Sequence, residues 1–127
     1  MNKNFLTILM RMRNENLFLE SFIKHYFADY VFNNTPSNKH IYGSAGSINH
    51  LIIHMLFCVL ALISLIPIHL ALLATVFDGF IHYHEDWLKS RYLYKRKGLS
   101  DRHRRAVTGF DQLVHMVTYV VIAWTVT

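Results

Sequence analysis

The feature that most constrains this chain is an apolar stretch at residues 51–81. It is about 31 residues long, whereas one membrane-spanning helix needs only about 20 residues. Pro67 lies inside the stretch, and proline interrupts a helix but suits the first turn of a new one. Ser64, just upstream, is a candidate helix cap. The stretch therefore predicts two spans, at 47–66 and 67–88, joined by a tight turn, with one kinked helix as the alternative.

A third span is predicted at residues 106–127, which contain no Lys, Arg or Glu. Trp124 near its end suits the interface between lipid and water. The first apolar segment, at 17–32, is interrupted by charged residues, which favours an interfacial or partly inserted helix. The expected fold is thus an all-α, small transmembrane helix bundle of three spans plus this N-terminal helix. Four spans are the alternative.

The composition also indicates a membrane protein with one domain over residues 1–127. Apolar residues make up 53% of the chain, and a soluble domain this small would expose much of that surface to water. A lipid bilayer is the simplest partner to cover it. The single cysteine, Cys58, excludes an intramolecular disulfide and is expected to serve packing.

The net charge of +5 is concentrated at residues 89–105, which we predict to be a basic cytoplasmic loop. Lys3, Arg11 and Arg13 place the N-terminus on the same side of an inner or plasma membrane. Such a loop suits contact with anionic lipid headgroups or an anionic substrate. Nucleic acid is disfavoured as a partner because no recognised nucleic-acid motif accompanies the charge.

Ionisable side chains recur four residues apart in each helical segment. Residues at this spacing share one helix face, so each pair offers two donors to a common point. An unpaired Asp at the centre of a span costs about 2.5 to 3.5 kcal/mol, which makes such residues functional candidates. All four pairs fall near the expected cytoplasmic boundary, and we predict that they converge there as metal ligands. The pairs are His25 and Asp29, His50 and His54, His82 and Asp86, and Asp111 and His115.

A mixture of imidazoles and carboxylates suits zinc, with iron and manganese as alternatives. Eight donors exceed one tetrahedral site, so we expect two ions, or one ion with further carboxylates orienting its ligands. A metal-free polar network or proton path is the alternative. Asp78, on the same stripe as His82, is a candidate catalytic base, and Lys89 a candidate to hold an anionic substrate. His84 and Glu85 are expected to point away from the His82 face.

Four short motifs carry a resemblance to a known family. The chain contains HYFAD at 25–29, HLIIH at 50–54, HYHEDWLK at 82–89 and DQLVH at 111–115. Their order resembles the bacterial and phage membrane proteins grouped as domain of unknown function 3307. The resemblance runs from about Ser21 to Ala123. It implies a membrane location and linked sites, with a bacterial or phage source, and implies no activity.

Two functions fit these patterns. The first is a metal-dependent hydrolase at the cytoplasmic face, acting on an anionic, phosphorylated substrate that the basic segment attracts. The second is a non-catalytic membrane adaptor or inhibitor that binds another membrane protein and whose metal or polar site is structural. A site whose positions are all filled by protein would favour the second, since catalysis needs an open position. Transport ranks last because residues 55–77 offer few polar side chains.

Overall fold

The computed structural model describes residues 3–32 and 38–126, and within these ranges the chain forms helices and no strand. The predicted all-α class is confirmed. Helix α1 spans Lys3–Tyr26 and runs into a π-helical turn at Phe27–Val31, and it is followed by α2 at Ala45–Leu62, α3 at Ile68–Lys95 and α4 at Asp101–Thr125.

A short turn separates α2 from α3, as the proline predicts, and the kinked single helix is excluded. The residue directly before α3 is Pro67, whose carbonyl accepts hydrogen bonds from Leu70 N and Ala71 N, both at 3.0 Å. Proline suits this position because its missing N–H would have no partner inside the helix. The expected cap at Ser64 is wrong, since this residue lies in the turn between the two helices.

The segment at 89–105 is mostly helical, so its prediction as a loop is wrong. Helix α3 continues to Lys95 and α4 begins at Asp101, which leaves only residues 96–100 as a connection. Ser100 caps α4 by accepting a hydrogen bond from His103 N at 3.3 Å. The basic residues therefore extend two helix ends beyond the apolar stretches.

The N-terminal segment predicted at 17–32 forms the second half of α1 and the π-helical turn. It packs against both α2 and α4, so the four helices form a ring in sequence order. Leu17, Lys24 and Ala28 are buried along these contacts. The segment is a full member of the bundle.

Burial in this bundle is reversed relative to a soluble protein. Polar and charged side chains are buried inside it, among them Asp78, His82 and His115. Large apolar side chains face outward, such as Leu73 and Trp124, which is 81% exposed. Exposed apolar surface on this scale needs a non-aqueous environment or a partner.

Two of the described helices, α2 and α4, are long and apolar enough to cross a membrane. The span expected at 67–88 is not one of them, because Asp78, Glu85 and three His side chains interrupt the apolar character of α3. A small apolar core lies beside these polar residues. It consists of Leu17, Cys58, Leu62, Ile66, Ala71, Ala74, Ile122 and Ala123.

Candidate metal centre

The predicted convergence of the four His and Asp pairs is observed, and Asp29 lies at its centre. Its Oδ1 atom is 2.7 Å from His54 Nε2 and 3.0 Å from His50 Nε2. Its Oδ2 atom is 3.0 Å from His25 Nε2. Burial alone would raise the pKa of Asp29, but the three imidazoles hold that pKa well below its usual range. The carboxylate is therefore ionised and available as a ligand.

The π-helical turn at Phe27–Val31 carries Asp29 into this position. It follows α1 directly, with Tyr26 still in the helical conformation. A π-helical turn adds a residue to the helical turn and changes the direction of the side chains that follow, and such turns are frequent at functional sites. Ala28 beside it is buried, so the turn is packed against the bundle.

The first cluster consists of Asp29, His50, His54 and His82, whose candidate ligand atoms all lie within 4.8 Å of one another. The three histidines are buried, and the rings of His54 and His82 stack with their centroids 3.6 Å apart. This stack requires α2 and α3 to pack closely, and the glycine at position 79 permits that approach. A Cβ atom added at Gly79 would lie only 3.0 Å from Met55 Cγ on α2.

The second cluster consists of Glu85, Asp111 and His115, again with ligand atoms within 4.8 Å. It adjoins the first cluster, since His115 Nδ1 lies 3.4 Å from His82 Nδ1. The expectation that Glu85 points away is wrong, because its Oε2 atom is 3.4 Å from His115 Nδ1. Residues three apart are also neighbours on a helix, so the spacing of His82 and Glu85 already indicated that the two side chains could face the same site.

Several ligand-type atoms of these clusters are buried without a hydrogen-bond partner in the described part of the chain. They are His50 Nδ1, His50 Nε2, His54 Nδ1 and His82 Nε2 in the first cluster, and Glu85 Oε2, Asp111 Oδ1 and His115 Nε2 in the second. Leaving a buried polar atom unpaired costs about 1 to 3 kcal/mol, and buried polar atoms in folded proteins are nearly always paired. A cation bound among these atoms would supply the partner that they lack.

Lys89 links the two clusters through the predicted ligand Asp86. Its Nζ atom lies 2.5 Å from Asp86 Oδ1 and 2.6 Å from Asp111 Oδ2. Burial would lower the pKa of Lys89, but these two carboxylates raise it above its ordinary value. Asp86 Oδ2 also lies 3.3 Å from both His50 Nε2 and Lys39 Nζ. The carboxylate of Asp86 thus has two cationic neighbours and is less available to a metal than that of Asp29.

His25 uses both ring nitrogens for protein contacts. The Tyr119 hydroxyl lies 2.7 Å from its Nδ1 atom, and Gln112 Oε1 lies 3.0 Å from its Nε2 atom. Because Gln112 Oε1 and Asp29 Oδ2 are both acceptors, Nε2 carries the proton and Nδ1 accepts from Tyr119. This arrangement suits a residue that orients Asp29.

Asp78, the candidate catalytic base, lies outside both clusters. It forms a buried ion pair with Lys24, whose ammonium lies 4.7 Å from the centroid of the Tyr119 ring. The sequence singled out no role for Lys24. A lysine one residue before a His-x-x-x-Asp motif, in an apolar segment, is a signal that the interior contains a matching acid.

A groove between α3 and α4 opens beside the second cluster and measures about 680 Å³. Most of its lining is apolar, and its polar residues are His84, Glu85, Lys89, Tyr92 and Asp111. The lining also includes Phe80, Leu88, Ala106, Phe110 and Val114. Two residues of the second cluster, Glu85 and Asp111, therefore lie at the wall of this groove.

A comparison with protein families matches residues 17–127 to the family described as a protein of unknown function (DUF3307). The match covers nearly the whole chain and includes every residue of both clusters. It confirms the resemblance that the four motifs indicated. Neither a curated protein nor a solved structure shows a match to this chain.

Proposed function

The chain belongs to the DUF3307 family, and from its site we propose that it is a membrane-embedded, metal-dependent hydrolase acting on an anionic, phosphorylated substrate. The observation that carries the proposal is the set of buried ligand-type atoms in the two adjacent clusters that form no hydrogen bond within the described part of the chain. Imidazole and carboxylate donors in this mixture favour zinc, with iron and manganese as alternatives. The proximity of the clusters favours two ions per chain.

The two clusters differ in how many ligands the protein supplies. The first offers three histidines and Asp29, which is a full tetrahedral set, and it therefore suits a structural ion. The second offers Asp111 and His115 as ligands with Glu85 beside them, which leaves positions for water or substrate. A divalent metal bound there would lower the pKa of a bound water and polarise a phosphoryl oxygen. The second cluster is thus the proposed reaction centre.

The protein's own groups suit phosphate hydrolysis. Lys89 stays cationic beside Asp111, so its ammonium can bind a phosphoryl oxygen by a charge-assisted hydrogen bond. Glu85 lines the groove, where its carboxylate can accept the proton of an attacking water. Glu85 takes the role of base that the sequence assigned to Asp78, because Asp78 is paired with Lys24.

The reversed burial and the two helices long enough to cross a bilayer support a membrane location. The packing of α3 between α2 and α4 supports a third span at α3, with its polar residues covered by the bundle. Basic residues at the C-terminal end of α3 and the start of α4 favour the cytoplasmic face for the metal centre.

The alternative, a non-catalytic adaptor with a structural metal, is favoured by one feature. The first cluster has four protein ligands and needs no further one, as in structural zinc sites. Such a protein would bind a single ion tightly and show no turnover.

Elemental analysis of the detergent-purified chain, combined with phosphate release from simple phosphate esters, tests the proposal. We expect close to two transition-metal ions per chain and hydrolysis that stops after chelation and returns with the metal. Asp111→Asn should lose one ion and all activity, whereas His69→Ala, at an exposed position, should lose neither. One ion without hydrolysis would favour an adaptor with a structural metal, whereas no ion would overturn the hydrolase and favour an adaptor with a metal-free polar network.

A further inference from the structure

We propose that the substrate is a lipid phosphate whose hydrocarbon chain lies in the groove between α3 and α4 while its phosphate reaches the second cluster and Lys89. The inference rests on the proposed hydrolase function and names its substrate class. It is carried by the position of an apolar groove directly beside a polar, charged reaction centre.

The groove has the size and lining of a ligand site. Its volume of about 680 Å³ falls within the range of about 300 to 1,000 Å³ that small-molecule sites show. Phe80, Leu88 and Phe110 contribute to its walls and are all more than half exposed. A hydrocarbon chain would cover these side chains from the lipid side, without having to leave an apolar environment.

Three of the lining residues carry charged groups, which are mostly buried behind the apolar surface of the groove and would fix the orientation of such a ligand. Glu85, Lys89 and Asp111 line the groove and also belong to the reaction centre or contact it. Their position gives one continuous surface, apolar along the walls and charged beside the second cluster. An amphiphile with an anionic head therefore fits with its head at Lys89.

Charge favours an anionic lipid over a partner helix as the occupant. The exposed cations Arg91, Arg102 and Arg105 lie on the same ends of α3 and α4 that form the groove. A phosphate placed there gains from them and from Lys89. An apolar helix in the groove would instead cover Glu85 and Lys89 without offering a new polar partner, which is costly.

The reaction balances without any further reactant. A water oxygen forms a bond to phosphorus while the bond between phosphorus and the chain oxygen breaks, and the electron pair leaves with that oxygen. Glu85 accepts the proton that the water loses and returns it to the departing alkoxide. The products are a long-chain alcohol and inorganic phosphate.

The test compares butyl phosphate with dodecyl phosphate as substrates of the metal-loaded chain in detergent. Burial of one methylene contributes about 0.8 kcal/mol, so kcat/KM should rise up to about four-fold for each buried methylene. Ala106→Trp fills the groove from an exposed position. It should lower kcat/KM for dodecyl phosphate at least ten-fold relative to the wild type while leaving butyl phosphate within two-fold.

Val117→Trp is the matched control, because Val117 lies on the same helix, is 54% exposed and is absent from the groove lining. It should keep the preference for dodecyl phosphate. Ratios of variant to wild type cancel the partition of dodecyl phosphate into micelles. Metal content should be equal in all three proteins, which shows that the bundle has folded.

A second measurement separates binding from turnover. Dodecylphosphonate lacks the scissile ester oxygen, and it should raise the thermal midpoint of the wild type and of Val117→Trp but not of Ala106→Trp. Groove-dependent binding without turnover would support the lipid site and overturn the hydrolase. Turnover of both esters without chain preference would overturn the lipid site and leave the hydrolase. If the wild type proved to be a dimer that Ala106→Trp disrupts, and the preference for dodecyl phosphate were unchanged, the groove would be assigned to a second copy of the protein. That result would overturn the inference.

Discussion

Asp29 Oδ1 lies 2.7 Å from His54 Nε2, although the two residues are 25 positions apart and belong to different helical elements. Asp29 is the only member of the first cluster that does not come from α2 or α3. The first cluster therefore exists only when the segment after α1 is docked on the rest of the bundle. Metal binding and the packing of α1 are expected to be coupled.

Asp29→Asn should remove one of two ions per chain. The amide keeps the size of the side chain but lacks the negative charge that attracts a cation, and Asn is a poor ligand for zinc. Metal per chain, measured by elemental analysis after gel filtration, should fall by about one. Asp101→Asn, at an exposed position in the first turn of α4, is the control and should keep both ions. An unchanged metal content in Asp29→Asn would contradict the assignment of the first cluster.

Much of this centre could be predicted from the sequence because helical periodicity is a local property. The spacing of four residues placed His50 with His54 and Asp111 with His115 on common faces, and the structure brings all of these residues into the interior. Pro67 likewise fixed the break between α2 and α3, since a proline has the same effect on any helix.

What the sequence could not give was how the helices are rotated against one another. Glu85 contacts His115 because α3 is rotated so that the side of the helix bearing Glu85 faces α4. The spacing of residues along α3 does not determine this rotation. Lys24 finds Asp78 at a distance of 54 positions in the chain, which no local pattern specifies. The division of the candidate ligands into a first cluster of four and a second cluster of three also depends on how the helices pack against one another.

Lys24→Met should destabilise the protein strongly. It leaves Asp78 as an uncompensated buried charge, and breaking such a pair costs about 3 to 5 kcal/mol. The thermal midpoint in detergent should fall by many degrees.

The double variant Lys24→Met with Asp78→Leu removes both charges and should regain most of the lost stability. Its metal content should equal that of the wild type, because Asp78 lies outside both clusters. A double variant as unstable as Lys24→Met, or one that loses an ion, would show that Asp78 has a role beyond the pair.

Lys89→Met should lower kcat/KM for a phosphate ester by about 10- to 100-fold, since hydrogen bonds to charged groups contribute about 1.5 to 3 kcal/mol. The variant should retain its metal, because Lys89 contacts Asp86 and Asp111 without supplying a ligand itself. Steady-state kinetics and elemental analysis on the same preparation give both results. Lys95→Met, at the exposed end of the same helix, is the control and should behave as the wild type. Undiminished activity in Lys89→Met would remove Lys89 from substrate binding.

Tyr119→Phe should weaken metal binding without touching a ligand. The change deletes the hydroxyl that lies 2.7 Å from His25 Nδ1, and His25 then loses the contact that fixes its protonation on Nε2. Asp29 in turn loses an oriented donor, and changes of this kind typically cost 10- to 100-fold in metal affinity. Competition with a chelator of known affinity measures the effect.

The ring of Phe retains the packing of Tyr119, but the buried His25 Nδ1 loses its hydrogen-bond donor, so the thermal midpoint of the metal-free protein should fall modestly. Tyr30→Phe provides the matched control, because Tyr30 is 65% exposed and lies next to Asp29 in sequence. Metal affinity should be the same in Tyr30→Phe and the wild type. If Tyr119→Phe also binds metal as tightly as the wild type, His25 does not act by orienting Asp29, and its assignment as a direct ligand becomes the better explanation.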